Sequence, residues 1–363
     1  MEREIVKNTD NRRAHRLGFT VAAVAAAAIV LAIASPAAAA KPPGCSTHES
    51  SASVANGTLT VTGTNRADHI TLGPITVNGV VVQVQVLFDG TADGTFPLNT
   101  FTKIDVNLGN GNDQFDVTPP ATAFPGEQVT INGGNGNDTL RGGANNEHFI
   151  GGNGSDFVDG NGGSDTADLG NGNDTFRWDP GDGSDTINGG TGTDTLDFRG
   201  NNAAEIMELS PVHTGSPCAA TATSCFTRNL GGIVMSMNRV ERLNLVAGGG
   251  ADTITINDMS GTGFRRADVD PTTLVDANFE PTGAPDGLAD TVTVNGTDKA
   301  DHIRVTAKDS RVDVEGLQPE TRLNHTETID TLDIQTGGGN DKVEIDPDVF
   351  ALISVSIDGT PQP

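Results

Sequence analysis

The chain has 363 residues, 46 of them glycine, with no tyrosine, one tryptophan and 4% aromatics. That composition excludes a large packed globular core and suits a solenoid, which needs only a thin row of apolar residues per coil. Lys and Arg number 22 against 48 Asp and Glu, a formal net charge of −26, which repels phosphate backbones and anionic lipid and excludes nucleic acid as a partner.

Residues 1–40 read as an export signal. Arg12, Arg13 and Arg16 precede an apolar run from Leu17 to Ala34, and Ala38-Ala39-Ala40 offers a small-residue cleavage site before Lys41. An uncleaved anchor is the alternative, since eighteen mostly apolar residues just span a bilayer. Cleavage removes five basic and three acidic residues and leaves 17 against 45, a net charge of −28. The expected location is therefore secreted or extracellular, with cell-surface retention as a variant.

Residues 41–53 read as a linker, and 54–132 as a first β-solenoid segment. Gly63-Thr64-Asn65-Arg66-Ala67-Asp68-His69-Ile70 returns as Gly296-Thr297-Asp298-Lys299-Ala300-Asp301-His302-Ile303. Strand-like alternation follows each copy, at Val80 to Phe88 and at Ile303 to Val314. The two histidines are expected to be structural. Asp113, Asp252 and Asp341 each close a Gly-rich turn but lack a partner eighteen residues away, so they read as turn or capping residues.

Residues 133–197 divide into nines: GGNGNDTLR, GGANNEHFI, GGNGSDFVD, GNGGSDTAD, LGNGNDTFR, then, after an insertion at Trp178 and Asp179, PGDGSDTIN and GGTGTDTLD. The shared template is Gly-Gly-x-Gly-x-Asp-x-U-x, with U at Leu140, Phe149, Val158, Ala167, Phe176, Ile187 and Leu196. Trp178 is expected to cover a strand edge or pack on the outside. Residues 198–256 form an irregular β segment. Cys218 and Cys225 lie there, and a bridge closing their eight-residue loop contributes about 2.5 kcal/mol on the chain-entropy model. Residues 257–363 form a C-terminal solenoid segment, with Asn257 to Pro285 expected to bulge from it.

The nonapeptides resemble the calcium-binding repeats of the RTX (haemolysin-type) proteins. The resemblance implies an all-β parallel β-roll that binds several Ca2+ ions. Physical chemistry points the same way. Glycine permits positive φ and close backbone approach, so the first six residues turn sharply and the last three form a strand. Two units make a coil of eighteen residues. Asp138, Asp156, Asp174 and Asp194 then stack on one side, with Glu147, Asp165 and Asp185 on the other. At the inter-strand spacing of about 4.8 Å, two carboxylates repel by roughly 3.5 kcal/mol at an effective dielectric of 20. A dication between the turns converts that repulsion into coordination, and oxygen-only ligands at flexible geometry select calcium. Candidate ligands are Asp138, Asp156, Asp165, Asp174, Asp185 and Asp194, with turn oxygens from Gly134, Gly136, Gly152, Gly154, Gly172, Gly183, Gly190, Gly192, Asn135, Asn153 and Asn171. Glu147, with Asn145 in the third-glycine position, is expected to distort its loop and break the second line.

No Gly-x-Ser-x-Gly elbow occurs, and His48-Glu49 is not followed by the second histidine of a His-Glu-x-x-His helix. The reading is a non-enzymatic, secreted calcium-binding repeat protein that folds on binding calcium and serves a structural, surface or matrix role. The alternative is a secreted polysaccharide-acting β-helix stabilised by calcium. A cell-surface or extracellular polysaccharide or protein stays open as partner, and the sequence does not set the oligomeric state.

Overall fold

A computed structural model describes residues 50–363, which lie in one compact unit. The proposed export signal, its cleavage site and most of the expected linker lie outside the described residues. The protein is an all-β solenoid with a tight parallel β-roll at its centre. In the roll, every coil contributes one strand to each of two facing sheets.

One sheet, of fourteen strands, takes the short strands Thr139–Arg141, Phe157–Asp159, Thr175–Trp178 and Thr195–Arg199 in parallel register, with Leu140 opposite Val158, Val158 opposite Phe176 and Phe176 opposite Leu196. The other, of fifteen strands, takes Gln128–Asn135, Glu147–Asn153, Thr166–Gly172 and Thr186–Gly192. Each of these strands except Gln128–Asn135 places one template apolar residue inward, and all seven are at most 1% exposed. The inward row is the core: a strand of three residues can bury only its middle side chain.

Three antiparallel meanders interrupt the parallel order. His69–Val77, Val80–Phe88 and Thr91–Pro97 extend one end of the fourteen-stranded sheet. Ile206–Pro211, Ser224–Arg228 and Ile233–Asn238 lie between parallel neighbours in the fifteen-stranded sheet. The Cys218–Cys225 disulfide, with Cα atoms 5.7 Å apart, closes the loop before Ser224–Arg228. His302–Lys308, Arg311–Glu315 and Glu320–Leu323 form the third. At the ends of the fifteen-stranded sheet, Ser51–Ala55 pairs antiparallel with Thr58–Thr62, and Thr360–Pro361 folds back on Ser354–Ile357.

Two local expectations are corrected. Trp178 is not on the outside. It shares the inward face of Thr175–Trp178 with Phe176, two residues earlier, and is fully buried. Its ring stacks on Phe198 at 4.2 Å, and Nε1 donates to the Gly183 carbonyl at 2.7 Å. The insertion thus lengthens one strand by an inward step. Within Asn257 to Pro285, Arg266–Asp270 is a full sheet strand with Ala267 and Val269 buried; only Thr273–Val275 and Pro281–Pro285 form a separate two-stranded ribbon.

Trp178→Ala is expected to lower the stability of the calcium-loaded protein by about 3–5 kcal/mol, read from the denaturant midpoint by circular dichroism. Trp178 is the only tryptophan in the chain. The folded wild type is accordingly expected to emit to the blue and to shift red on unfolding.

Candidate metal centre

Each nonapeptide turn closes on an acidic residue placed just before a strand with an inward-facing apolar residue. The backbone N–H of Asp138 donates to Asp156 Oδ1 at 2.8 Å, that of Asp156 to Asp174 at 2.8 Å and that of Asp174 to Asp194 at 2.9 Å. This line outruns the nonapeptides. Asp68 donates to Asp113 and Asp113 to Asp138, both at 2.8 Å, across 45 and 25 residues, and Asp194 donates to Glu241 Oε2. Asp113 is therefore a rung and not merely a turn residue: rungs stack by coil, and a coil need not be eighteen residues long.

On the opposite side Glu147 donates to Asp165 Oδ1 at 2.7 Å, and Asp165 to Asp185 at 2.8 Å. Glu147 does not break this line. It is buried as deeply as the aspartates, and its Oε2 accepts from Gly143 N–H at 3.3 Å. Asn145 forms a two-point contact with the Phe124 backbone at 2.6 and 3.0 Å, which ties the preceding loop onto the roll.

A further line, absent from the sequence reading except for Asp252 as a cap, runs from Glu205 to Asp252, Asp290 and Asp330, at 2.7, 2.7 and 3.1 Å. Its sequence signal is Asp-Thr followed by an apolar residue. Asp252-Thr253-Ile254, Asp290-Thr291-Val292 and Asp330-Thr331-Leu332 share it with Asp138-Thr139-Leu140 and Asp194-Thr195-Leu196, although the glycines before Asp290 and Asp330 are largely gone.

One carboxylate oxygen per rung is thereby occupied. The other is buried and without a hydrogen-bond partner among the described residues at Asp113, Asp138, Asp156, Asp165, Asp174 and Asp194, and at Glu147. The first template glycine makes room for it. A Cβ built on Gly133 would lie 2.5 Å from Asp138 Oδ2 and 2.6 Å from the carbonyl oxygen of Gly151 in the next coil. At Gly151 the same space holds Asp156 Oδ2 and the Leu169 carbonyl. A buried carboxylate oxygen and a backbone carbonyl facing one cleft, with no hydrogen to share, form a donor set that fits a hard cation. Among the described residues no three His, Cys, Asp or Glu side chains converge, so backbone carbonyls have to complete any such set.

Contrast within the chain sharpens the point. In the two octapeptide copies the second oxygen is satisfied internally. Thr64 N–H donates to Asp68 Oδ2 at 2.6 Å and its hydroxyl at 2.9 Å, and Thr297 N–H donates to Asp301 Oδ2 at 2.8 Å. Threonine replaces the second template glycine there, and these turns are closed by hydrogen bonds alone.

Burial pushes the carboxyls of Asp156 and Asp185 up to about 7 and Glu147 to about 7. Asp165 rises to about 9, from burial first and then from the charge of Asp185. Asp138 and Asp174 shift upward for the same first reason. The arginines of the roll point elsewhere: Arg177 and Arg199 both reach Glu280, at 2.8 and 2.9 Å.

Residues 130–158, 141–176 and 181–202 match the family model of the RTX calcium-binding nonapeptide repeat, in four copies. The central stretch is an RTX repeat array. No curated protein matches the chain. RTX repeats bind calcium, so Ca2+ is the cofactor of this stretch, and the buried aspartates accommodate several ions.

The remaining candidate residues of the RTX array divide in two. Carbonyls of Gly134, Gly136, Gly152, Gly154 and Gly172 face the glycine Cα of the next coil, at Gly152, Gly154, Gly170, Gly172 and Gly192. Gly152 and Gly154 have φ of +115° and +134°, so a side chain there meets both strain and a carbonyl. Gly183 faces the Gly163 carbonyl, and Gly190 the Gly170 carbonyl. Asn135, Asn153 and Asn171 instead bond one another through their side chains on the exposed rim, at 2.6 and 2.8 Å. Their carbonyls accept from Gly111, Gly136 and Gly154, each at 2.8 Å. Of the histidines, His69 lies 2.9 Å from Asp116 and His302 lies 3.5 Å from Glu344, both exposed.

Folded-state carboxyl values above the ordinary range mean that the metal-free fold holds protons the unfolded chain releases. Its stability is lowest above those values and rises as pH falls through them. In calcium-stripped buffer, strand content by circular dichroism is expected to increase from about pH 8 to about pH 5, and the calcium midpoint to rise over the same interval as protons compete for the same oxygens.

Proposed function

We propose that the protein is exported and folds on meeting extracellular calcium, and that it serves as a non-enzymatic structural component of the cell surface or matrix. The observation that carries this is the file of buried carboxylate oxygens without partners in consecutive coils of the RTX array. Left ionised and bare, such oxygens cost about 1–3 kcal/mol each or more. In this reading Asp138, Asp156, Asp165, Asp174, Asp185 and Asp194 hold the ions, joined by Asp113 and Glu147, with backbone carbonyls completing each set. The bound metal supplies only charge and coordination, so its binding free energy is folding free energy.

The N-terminal apolar run of the sequence supports export, and the disulfide suits an oxidising compartment. Among the described residues no helix is long and apolar enough to cross a membrane.

Calcium titration of the chain from Lys41 onward, followed by far-UV circular dichroism, tests the reading. Strand content is expected to be low in excess chelator and to rise cooperatively up to about millimolar calcium, the affinity range of extracellular calcium modules. Full strand content in chelator, or no response to calcium, overturns it. Release of sugar from acidic polysaccharides would instead favour a carbohydrate-active enzyme.

A further inference from the structure

The RTX match ends at residue 202, yet the acidic rungs do not. Asp252 and Asp290 are each 1% exposed. In each, Oδ1 accepts a backbone N–H from the preceding rung at 2.7 Å, and Oδ2 is buried without a partner. We propose that the turns of Asp252 and Asp290 hold a divalent cation of the calcium type, in a site separate from the RTX array and beyond the residues its family model matches.

Three observations carry this beyond the presence of acidic residues. The bare oxygen is not a general property of these turns, because Asp68 and Asp301 have theirs hydrogen-bonded by Thr64 and Thr297. In the same line, Asp330 has its second oxygen filled by Glu327 N–H at 2.6 Å. Asp252 and Asp290 have no such donor, although Thr, Ser and backbone N–H groups are what this chain uses elsewhere.

Next, the neighbouring donors are all oxygen. Asp286 sits at the Asp252 turn, with its Oδ2 accepting from Gly250 N–H at 2.6 Å. Asn201 Oδ1, in the turn before Glu205, is also buried and unpartnered. Carboxylate and amide oxygens without imidazole or thiolate select calcium over zinc or copper.

Lastly, the one guanidinium in this line is already committed. Arg228 Nε donates to Glu205 Oε1 at 2.9 Å, and the pair is buried. That charge serves Glu205, one rung away, and leaves the two aspartates uncompensated.

The inference shares its chemistry with the proposed function but stands on different residues, so the two can fail separately. Calcium bound per chain is counted by equilibrium dialysis for the mature chain, for Asp252→Asn/Asp290→Asn, and for Asp156→Asn/Asp165→Asn/Asp174→Asn. Asparagine keeps the Oδ1 acceptor that each rung needs and removes the charge that would bind metal. The first variant is expected to bind at least one ion fewer than wild type, with unchanged strand content at saturating calcium. The second is expected to retain the ion lost in the first. An unchanged count in Asp252→Asn/Asp290→Asn overturns this proposal whatever the second variant does, whereas an unchanged count in the second overturns only the RTX-array assignment. Should the double variant not fold, Asp290→Asn alone is counted, and an undiminished number overturns the proposal equally.

Discussion

The contact on which this fold depends is the hydrogen bond from the backbone of one rung to a single carboxylate oxygen of the next. It aligns the coils, but it also buries a second oxygen beside others of the same charge. A solenoid with so few large apolar residues has little surplus with which to offset that. Each rung therefore needs a positive partner or a hydrogen for its second oxygen, and how it finds one determines what that part of the chain is for.

The chain uses several ways. In the octapeptide turns, Thr64 and Thr297 supply hydrogens from hydroxyl or backbone. At Glu205, Arg228 supplies an internal cation buried with it and bonded to Oε1, while Oε2 has no hydrogen-bond partner among the described residues. In the RTX array neither is present, and the cleft between coils is lined by oxygen. Two changes in the turn, threonine for the second template glycine and Arg66 or Lys299 for the third, thus separate a turn closed by its own hydrogens from one built for a metal. Parts of the chain on the threonine pattern have no need of calcium for their turn chemistry, while the centre does.

How much of this was legible depended on spacing. The inward row from Leu140 to Leu196 and the two-sided arrangement of Asp138 and Asp165 could be read directly, because a strict nine-residue period leaves one place for each residue type. Asp290 and Asp330 could not, since coils of about forty residues carry them and their glycines have been replaced. The Asp-Thr-apolar triplet survives there because it does the local work of ending a turn and starting a strand. Glu147 was misread on chemistry: one extra methylene looked like a break, yet the longer side chain still places its oxygen within reach of Gly143. Trp178 was misread on period, since counting it as an insertion hid that it lies two residues past Phe176 on an inward face. The antiparallel meanders were not visible because strand alternation carries no sign of direction.

The ends of the stack have a consequence of their own. Parallel coils expose a complete row of backbone donors and acceptors at each end, the template on which cross-β fibres grow. Here each end of the fifteen-stranded sheet is a short strand running the wrong way, and the last, Thr360–Pro361, ends in a residue with no N–H to offer. The fourteen-stranded sheet terminates in the antiparallel Thr91–Pro97 on one side and in Lys342–Ile345, with its Lys342–Glu344 ion pair, on the other. Three of the four edge strands thus run against their neighbour, and Lys342–Ile345 alone keeps the parallel direction. The described solenoid shares the strand spacing of a cross-β fibre, yet most of its sheet edges are strands that do not continue the parallel order on which such a fibre grows.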